Sequence, residues 1–532
     1  MDDRSSAAGN PSAPLPEPSV LESGVSLSRS LIWQRQREFY RRRGLAAWTA
    51  EKVPQFITNN PFIAEIYAQL VFQFLNDCRE QDQQASGCSS GPLHILELGA
   101  GPGKFAYLFL RHLASLLRGQ GIPLQTLRYR MTDCAEELLP SWRTNPYLAE
   151  FVREGVLDFD RLEAGAIPAA GGGAGSPPGP LVVIANYVFD SLPQDVFAIQ
   201  EGKVLESLVT TTAPGPAAQD PEPLSKLRFS YHNVALAPGR YADAARNGIL
   251  EQYRTRLEGA TLLFPSAALD TVEALAPRGD GRLLVLAADK GYTQEDSLAL
   301  SSGPPALEWH APDCFSLMVN FDAIGKYFEA TGGEAMLPEK RSSSLHLCGF
   351  LRGRPGERFP ATAAACRQAQ ASFGPDDLFA LLSWLNAQLE SLSLPQILAL
   401  LRLTHWDPVA LMRLFPVIAR QVRGVARERH DLRQAVLKTW GNHYPMDPGE
   451  NVLAFDCGVI LLELRFFEDA FSLFRASQQA LGPSAATSYN LGLCALGLGR
   501  SAEALAFMVE ACELDPGFEP ARLSRLKLEG KS

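Results

Sequence analysis

Three alternating glycines constrain this chain more than any other feature: His94-Ile-Leu-Glu97-Leu-Gly99-Ala-Gly101-Pro-Gly103-Lys104-Phe105. An apolar run ends in an acid, the glycines follow, and a helix-patterned segment runs from Phe105 to Leu117. That order predicts strand, tight turn and helix, with a nucleotide-type ligand at the carboxyl edge of a parallel sheet. Glycine suits such a turn because it visits backbone angles that side chains forbid and lets a ligand approach the main chain closely.

Spacing separates the readings of this loop. A dinucleotide fingerprint wants glycine at the sixth position from Gly99, where Lys104 stands. A phosphate-cradling loop wants four residues between its glycines and then Lys-Ser/Thr, whereas three residues separate Gly99 from Gly103 and Phe105 follows the lysine. The Glu-x-Gly-x-Gly-x-Gly loop of S-adenosylmethionine (SAM) methyltransferases fits at Glu97, Gly99, Gly101 and Gly103. In that reading the loop packs against the methionine part of the cofactor, and Glu97 binds its ammonium directly or through water. The bland alternative is an ordinary glycine-rich strand-to-helix turn.

Acids recur downstream. Leu127-Arg-Tyr-Arg-Met-Thr-Asp133 reads as a second strand, with Asp133 placed either for two ribose hydroxyls or as the cap of a helix over Ala135 to Trp142. Asp158 or Glu163, in Val156-Leu-Asp158-Phe-Asp-Arg-Leu-Glu163, would meet an adenine amino group, unless both are merely solvated. The continuous aliphatic run Leu181-Val-Val-Ile-Ala predicts a buried strand. Asn186, Tyr187 and Asp190 follow it as candidates to orient or deprotonate an acceptor, and the alternative is a strand-end turn closed by Asx hydrogen bonds before Pro193.

The pair of anchors, Glu-Leu-Gly-Ala-Gly-Pro-Gly and Ala-Asn-Tyr-Val-Phe-Asp-Ser-Leu-Pro, resembles the MidA-like SAM-dependent methyltransferases over about Phe39 to Leu351. That family includes the mitochondrial enzyme that methylates an arginine of a respiratory complex I subunit. Gln55-Phe-Ile-Thr58-Asn-Asn-Pro61 resembles the family's segment that helps cover the cofactor, and Phe315 to Lys326 resembles a late strand-and-helix unit. The family's usual Asn-Glu-Phe-Phe-Asp becomes Asn186-Tyr187-Val-Phe-Asp190 here, which puts a guanidinium acceptor in doubt.

The resemblance implies a Rossmann-like class I methyltransferase sheet over 29–355; within it, about 196–277, with a hairpin around Glu201-Gly202-Lys203 and a helix from Ala242 to Leu257, reads as an insertion over the cofactor edge and a candidate for acceptor recognition. Arg282 to Asp289 resumes the sheet and Ser344 to Phe350 closes it; Asp289 lines the acceptor pocket or, as favoured, caps a turn before Gly291. Residues 1–28, rich in Ser, Pro and Ala, read as a disordered tail. Gly165 to Pro180 and Thr212 to Pro223 read as surface loops.

After Pro360 the pattern turns wholly helical, predicting an all-α domain over 376–532. Gly458 and Gly492, Ala470 and Ala504, and Phe474 and Met508 are each 34 apart (492 − 458, 504 − 470, 508 − 474), the tetratricopeptide period, over about 451–518. Two repeats cannot bury a continuous core alone, so helices from Asp376 to Lys438 are expected to stack beneath them. Such repeats form a groove for a protein substrate or partner, or pack as a stabilising appendage.

A net charge of −10 argues against general nucleic-acid affinity, and Arg41-Arg-Arg43 reads as a solvated helix face. Nine cysteines without a Cys-x-x-Cys pair and eight histidines without ligand spacing suggest neither disulfide framework nor metal. No apolar stretch is long enough to span a membrane, and Asp2 and Asp3 with no apolar segment like a signal peptide's point to a cytoplasmic protein. The function expected is methyl transfer from SAM to a nucleophile on a protein, with Asp190 first among the catalytic candidates. The alternative is a catalytically silent SAM-fold scaffold, and a NAD-linked dehydrogenase ranks behind both.

Overall fold

Seven strands form the central sheet of the computed structural model, which describes residues 18–49, 57–85, 91–167, 179–215, 222–299, 303–340, 345–372, 374, 376–377, 380–381, 388–446 and 451–530. They are β1 (Leu93–Leu98), β2 (Leu127–Asp133), β3 (Leu157–Arg161), β4 (Leu181–Asn186), β5 (Leu283–Asp289), β6 (Glu334–Met336) and β7 (His346–Arg352). Their order across the sheet is β6-β7-β5-β4-β1-β2-β3. The strands β1 to β5 run parallel, while β7 is antiparallel to both β5 and β6. Chain order reverses at β1, with β2 and β3 on one side and β4 and β5 on the other, which opens a crevice outside the carboxyl ends.

The aliphatic runs of β4 and β5 are unbroken because both sheet faces are covered. Val182 and Ile184 of β4, with Leu284, Leu286 and Ala288 of β5, enter one apolar core; Val183, Ala185, Leu283, Val285 and Ala287 enter the other. Helices Pro61–Ala85 and Lys104–Gly119 cover the first face, and helices Ala244–Arg256, Ser266–Leu275 and Phe321–Ala330 the second. Each fully buried Leu or Val contributes about 1.5–3 kcal/mol.

The segment following β4 builds a second, antiparallel sheet. Asp195–Gln200 and Lys203–Ala213 form a hairpin whose turn residues Glu201 and Gly202 have φ of 50° and 67°, as a two-residue turn between right-twisted strands requires. Thr261–Phe264 and Arg228–Ala235 extend this sheet. So does Ser19–Ser26, which pairs with Lys203–Ala213. Part of the expected tail is therefore a strand: it has no long apolar run and no fully buried residue, and partner hydrogen bonds hold it. Residues 1–17 of that tail, 168–178 and 216–221 of the two expected loops, and 378–379 and 382–387 of the expected helical stack lie outside the described residues. No described helix is long and apolar enough to cross a membrane.

Beyond residue 388 the described elements are all helical. Helices Leu394–Leu403, Pro408–Gln421, Arg429–Gly441 and Leu453–Glu463 share one apolar core with the helix Phe467–Leu481. Two helical hairpins, Leu453–Glu463 with Phe467–Leu481 and Ala485–Gly497 with Ser501–Leu514, repeat the same close approach 34 residues apart. A Cβ on Gly458 would lie 2.8 Å from Phe474 Cε1, and one on Gly492 would lie 2.7 Å from Met508 Cε. Gly492→Val is accordingly expected to destabilise the helical domain by about 1–3 kcal/mol through overpacking. Chemical denaturation followed by far-ultraviolet circular dichroism checks this, and an unshifted midpoint would refute it.

Candidate active site

A cavity of about 380 Å³ lies outside the carboxyl ends of β1, β2 and β4. Its floor is the glycine turn. Gly99, Gly101 and Gly103 have φ of 62°, 52° and 86°, angles that L side chains resist. A Cβ on Gly101 would approach Trp48 Cε2 to 3.2 Å, so the turn and the tryptophan above it leave room for little more than hydrogen. Gly103 does not line the cavity; it begins the helix Lys104–Gly119, and a Cβ there would lie 2.9 Å from Met131 Cε. Four backbone or indole bonds hold the turn: Ala100 N–H to Thr132 O (2.9 Å), Gly103 N–H to Ala100 O (3.0 Å), Gly101 N–H to Asp133 Oδ2 (3.0 Å) and Trp142 Nε1–H to Gly101 O (2.8 Å).

Two carboxyls sit in this floor. Glu97 is 4% exposed and accepts from the Tyr129 hydroxyl at 2.9 Å. Burial pushes it up to about 8, against the lowering by that hydrogen bond, with Asp133 adding to the rise. Asp133 is also raised by burial, with backbone N–H groups opposing the shift. Its Oδ1 accepts from Ala135 N at 3.0 Å, closing an Asx turn. The helix expected at Ala135 starts only at Leu138, so Asp133 does not cap it.

The sequence left the next acid open between Asp158 and Glu163, and the structure separates the two. Asp158 has a side chain 68% exposed, pairs with Arg130 at 3.2 Å and does not line the cavity. Glu163 does line it, gripped by Arg37 (3.1 Å) and Arg41 (2.6 Å) from the helix Leu31–Arg43. Arg41, its side chain 38% exposed, is thus more than part of a solvated face: it ties that helix to the cavity rim.

Opposite the glycines stands the end of β4. Asn186, Tyr187 and Asp190 all line the cavity. Asn186 Oδ1 accepts from the Tyr67 hydroxyl at 2.5 Å, while its Nδ2 and the Tyr187 hydroxyl are buried without partners. Tyr187 adopts φ of 54°, a strained angle for an aromatic residue. Asp190, 6% exposed, accepts from Ser191 Oγ at 2.9 Å; burial pushes it up to about 7. Asp289 does not serve the expected turn before Gly291. It is fully buried and accepts from Phe189 N at 3.1 Å, holding the loop that carries Asp190.

Sequence reading missed the walls and roof. Trp33, Gln36 and Tyr40 from the helix Leu31–Arg43, with Trp48, His310 and Ser316, line the cavity beside Ile57, Thr58 and Asn59. The last three belong to the segment expected to cover a cofactor; Gln55 and Phe56 of it lie outside the described residues. No local motif marks the aromatic groups, which arrive through tertiary folding alone.

Residues 73–303 match the model of a family described as "Putative S-adenosyl-L-methionine-dependent methyltransferase". No curated protein matches the chain. Among solved structures, an uncharacterized superfamily protein from Burkholderia thailandensis is 16% identical with a TM-score of 0.37, over 64% of this chain and 90% of its own. A member of the same superfamily from that organism, bound to S-adenosyl-homocysteine, is 18% identical with a TM-score of 0.34, over 56% of this chain and 80% of its own. The plantazolicin methyltransferase in complex with the same compound is 10% identical with a TM-score of 0.26, over 61% of this chain and 100% of its own.

The buried acids predict a pH signature. A carboxyl raised in the folded chain binds its proton more tightly there, so its contribution to stability is present at acid pH and lost as pH rises through the folded value. The melting temperature of the protein alone is expected to fall as pH rises from 4.5, the ordinary value for Glu97, to about 8, its value in the folded chain. Glu97→Gln should flatten that limb in calorimetric scans, and a wild-type melting temperature level across the range would refute the assignment.

Proposed function

We propose, from the match of residues 73–303 to the S-adenosyl-L-methionine-dependent methyltransferase model, that the cavity binds SAM and directs its methyl group to a nucleophile on a protein substrate. The observation that carries this reading is the meeting, in one cavity, of the acid-and-glycine turn with Asn186, Tyr187 and Asp190. The strand order supports a Rossmann-like methyltransferase sheet, with β1 at the switch point.

The residues present fit such a cofactor. Glu97 offers a carboxyl to the ammonium, and a cation there offsets the cost of ionising a buried acid. Asp133 is the proposed acceptor for ribose hydroxyls, its carboxylate being held in place by backbone N–H groups that include those of Gly101 and Ala135. Glu163, which lines the cavity while Asp158 does not, is the proposed partner of the adenine amino group. The glycine turn leaves space that any side chain would fill. When bound, SAM supplies a methyl group made electrophilic by its sulfonium.

The protein's task is then to align the acceptor and exclude water. Asp190 takes the acceptor's proton at its carboxylate, and its rise to about 7 matches a base to neutral pH. Asn186 and Tyr187 hold the acceptor through their unpartnered donors. Tyr187 stands where the motif that this segment resembles has glutamate, so a second acid suited to a guanidinium is missing from Asn186 to Asp190, and the proposed acceptor is a protein nucleophile other than arginine. The helical hairpins, read as tetratricopeptide-like repeats, are the proposed surface for that protein.

Incubating the chain and cell extract with methyl-labelled SAM, then locating the label by mass, tests the activity. Label on protein in an amount that depends on the chain is expected; SAM binding without any transfer would favour a silent scaffold. Asp190→Asn is expected to lower turnover roughly 100-fold or more while SAM affinity holds, and to abolish a rate limb that rises with pH through about 7. Full turnover in that variant would remove Asp190 from the chemistry. Gly101→Val, which brings methyl groups into the cavity floor, is expected to weaken SAM binding at least roughly 100-fold in calorimetry; unchanged affinity in the folded variant would contradict the placement of the cofactor.

A further inference from the structure

The glycine turn has one anchor from outside the sheet domain. Tyr444, 3% exposed, donates its hydroxyl to Pro102 O at 2.7 Å, across 342 residues of chain. The same hydroxyl accepts from Asn145 Nδ2 at 2.8 Å and would lie 3.1 Å from a Cβ on Gly103. The Tyr444 ring packs against those of Tyr107 and Tyr147, each 5.4 Å away and 5.6 Å from one another.

Tyr444 is not a loose neighbour. It follows the helix Arg429–Gly441 by three residues, and Asn442 donates to His405 O (3.0 Å) and Trp406 O (3.2 Å), fixing the segment within the helical domain. Gly441 O accepts from the Tyr107 hydroxyl at 3.0 Å, and His405 Nδ1 meets Glu65 Oε2 at 2.6 Å, so this domain is seated on the helices beside the turn.

We propose that Tyr444 is a positioning residue for the cofactor, supplied by the helical domain. Its hydroxyl fixes the Pro102 carbonyl and so holds a turn of three left-handed glycines in the shape that receives the ligand. The proposal rests on the SAM-binding reading above. A turn with three glycines samples many shapes when unrestrained, and affinity falls in proportion to the fraction that is competent to bind. Linkage makes the effect reciprocal: ligand in the cavity strengthens the bond from Tyr444 to the Pro102 carbonyl, and loss of that bond weakens the ligand.

The test uses the full chain and S-adenosyl-homocysteine as the probe. Tyr444→Phe keeps the ring and deletes the hydroxyl; it is expected to bind the probe roughly 10-fold more weakly by calorimetry. Tyr107→Phe removes a hydrogen bond at the same domain seat without touching the turn, and its affinity is expected to equal that of the wild type. Hydrogen exchange at residues 441–446 should slow when the probe binds wild-type protein, and this slowing should be lost in Tyr444→Phe. Wild-type affinity in Tyr444→Phe, or equal weakening in both variants, would overturn the proposal. Absence of probe binding by the wild type would instead overturn the SAM-binding reading, and this inference with it.

Discussion

One carboxylate organises the cavity floor. Asp133 takes the N–H of Gly101 on one oxygen and that of Ala135 on the other, which joins the turn after β1 to the turn after β2. A left-handed glycine turn has no side chain of its own to lock it, so its shape must be imposed through its main-chain donors and acceptors. Thr132, Asp133, Trp142 and Tyr444 all serve that end. Burial opposes ionisation of Asp133, and the backbone N–H groups repay part of that cost.

The same balance recurs around the cavity. Glu97, Asp133 and Asp190 are all raised by burial, so without a ligand the site is short of positive charge. Arg37 and Arg41 are committed to Glu163, and Lys290 to Glu308. A ligand that brings its own cation relieves this strain, which is why a cationic cofactor suits the pocket better than a phosphate would. In the other half of the cavity the Asn186 amide nitrogen and the Tyr187 hydroxyl stand buried without hydrogen-bond partners.

Legibility in the sequence followed the range of the forces involved. The buried strands β4 and β5 were readable because a sheet covered on both faces writes an unbroken aliphatic run. The glycine turn, the hairpin at Glu201-Gly202 and the 34-residue spacing of Gly458 and Gly492 are likewise local patterns with a local physical cause. Asp158 and Glu163 could not be ranked, since only strand register and the arrival of Arg37 and Arg41 separate them. Asp289 was misread because its partner lies 100 residues away. Ser19–Ser26 hid as a tail, being a polar strand held by partner hydrogen bonds rather than by apolar side chains. The roof residues Trp33, Tyr40 and Trp48 and the anchor Tyr444 carry no motif at all.

That early strand also sets an order of events on the ribosome. Ser19–Ser26 emerges first but finds its partner only in Lys203–Ala213, so nearly two hundred residues must be made before it can settle. The helix Leu31–Arg43, which follows it directly and lines the cavity, is delayed with it. The glycine turn can form earlier, from strands close together in the chain. The nascent domain therefore passes through a stage with its floor forming and its apolar ceiling still open, the interval in which such a chain is most exposed to aggregation.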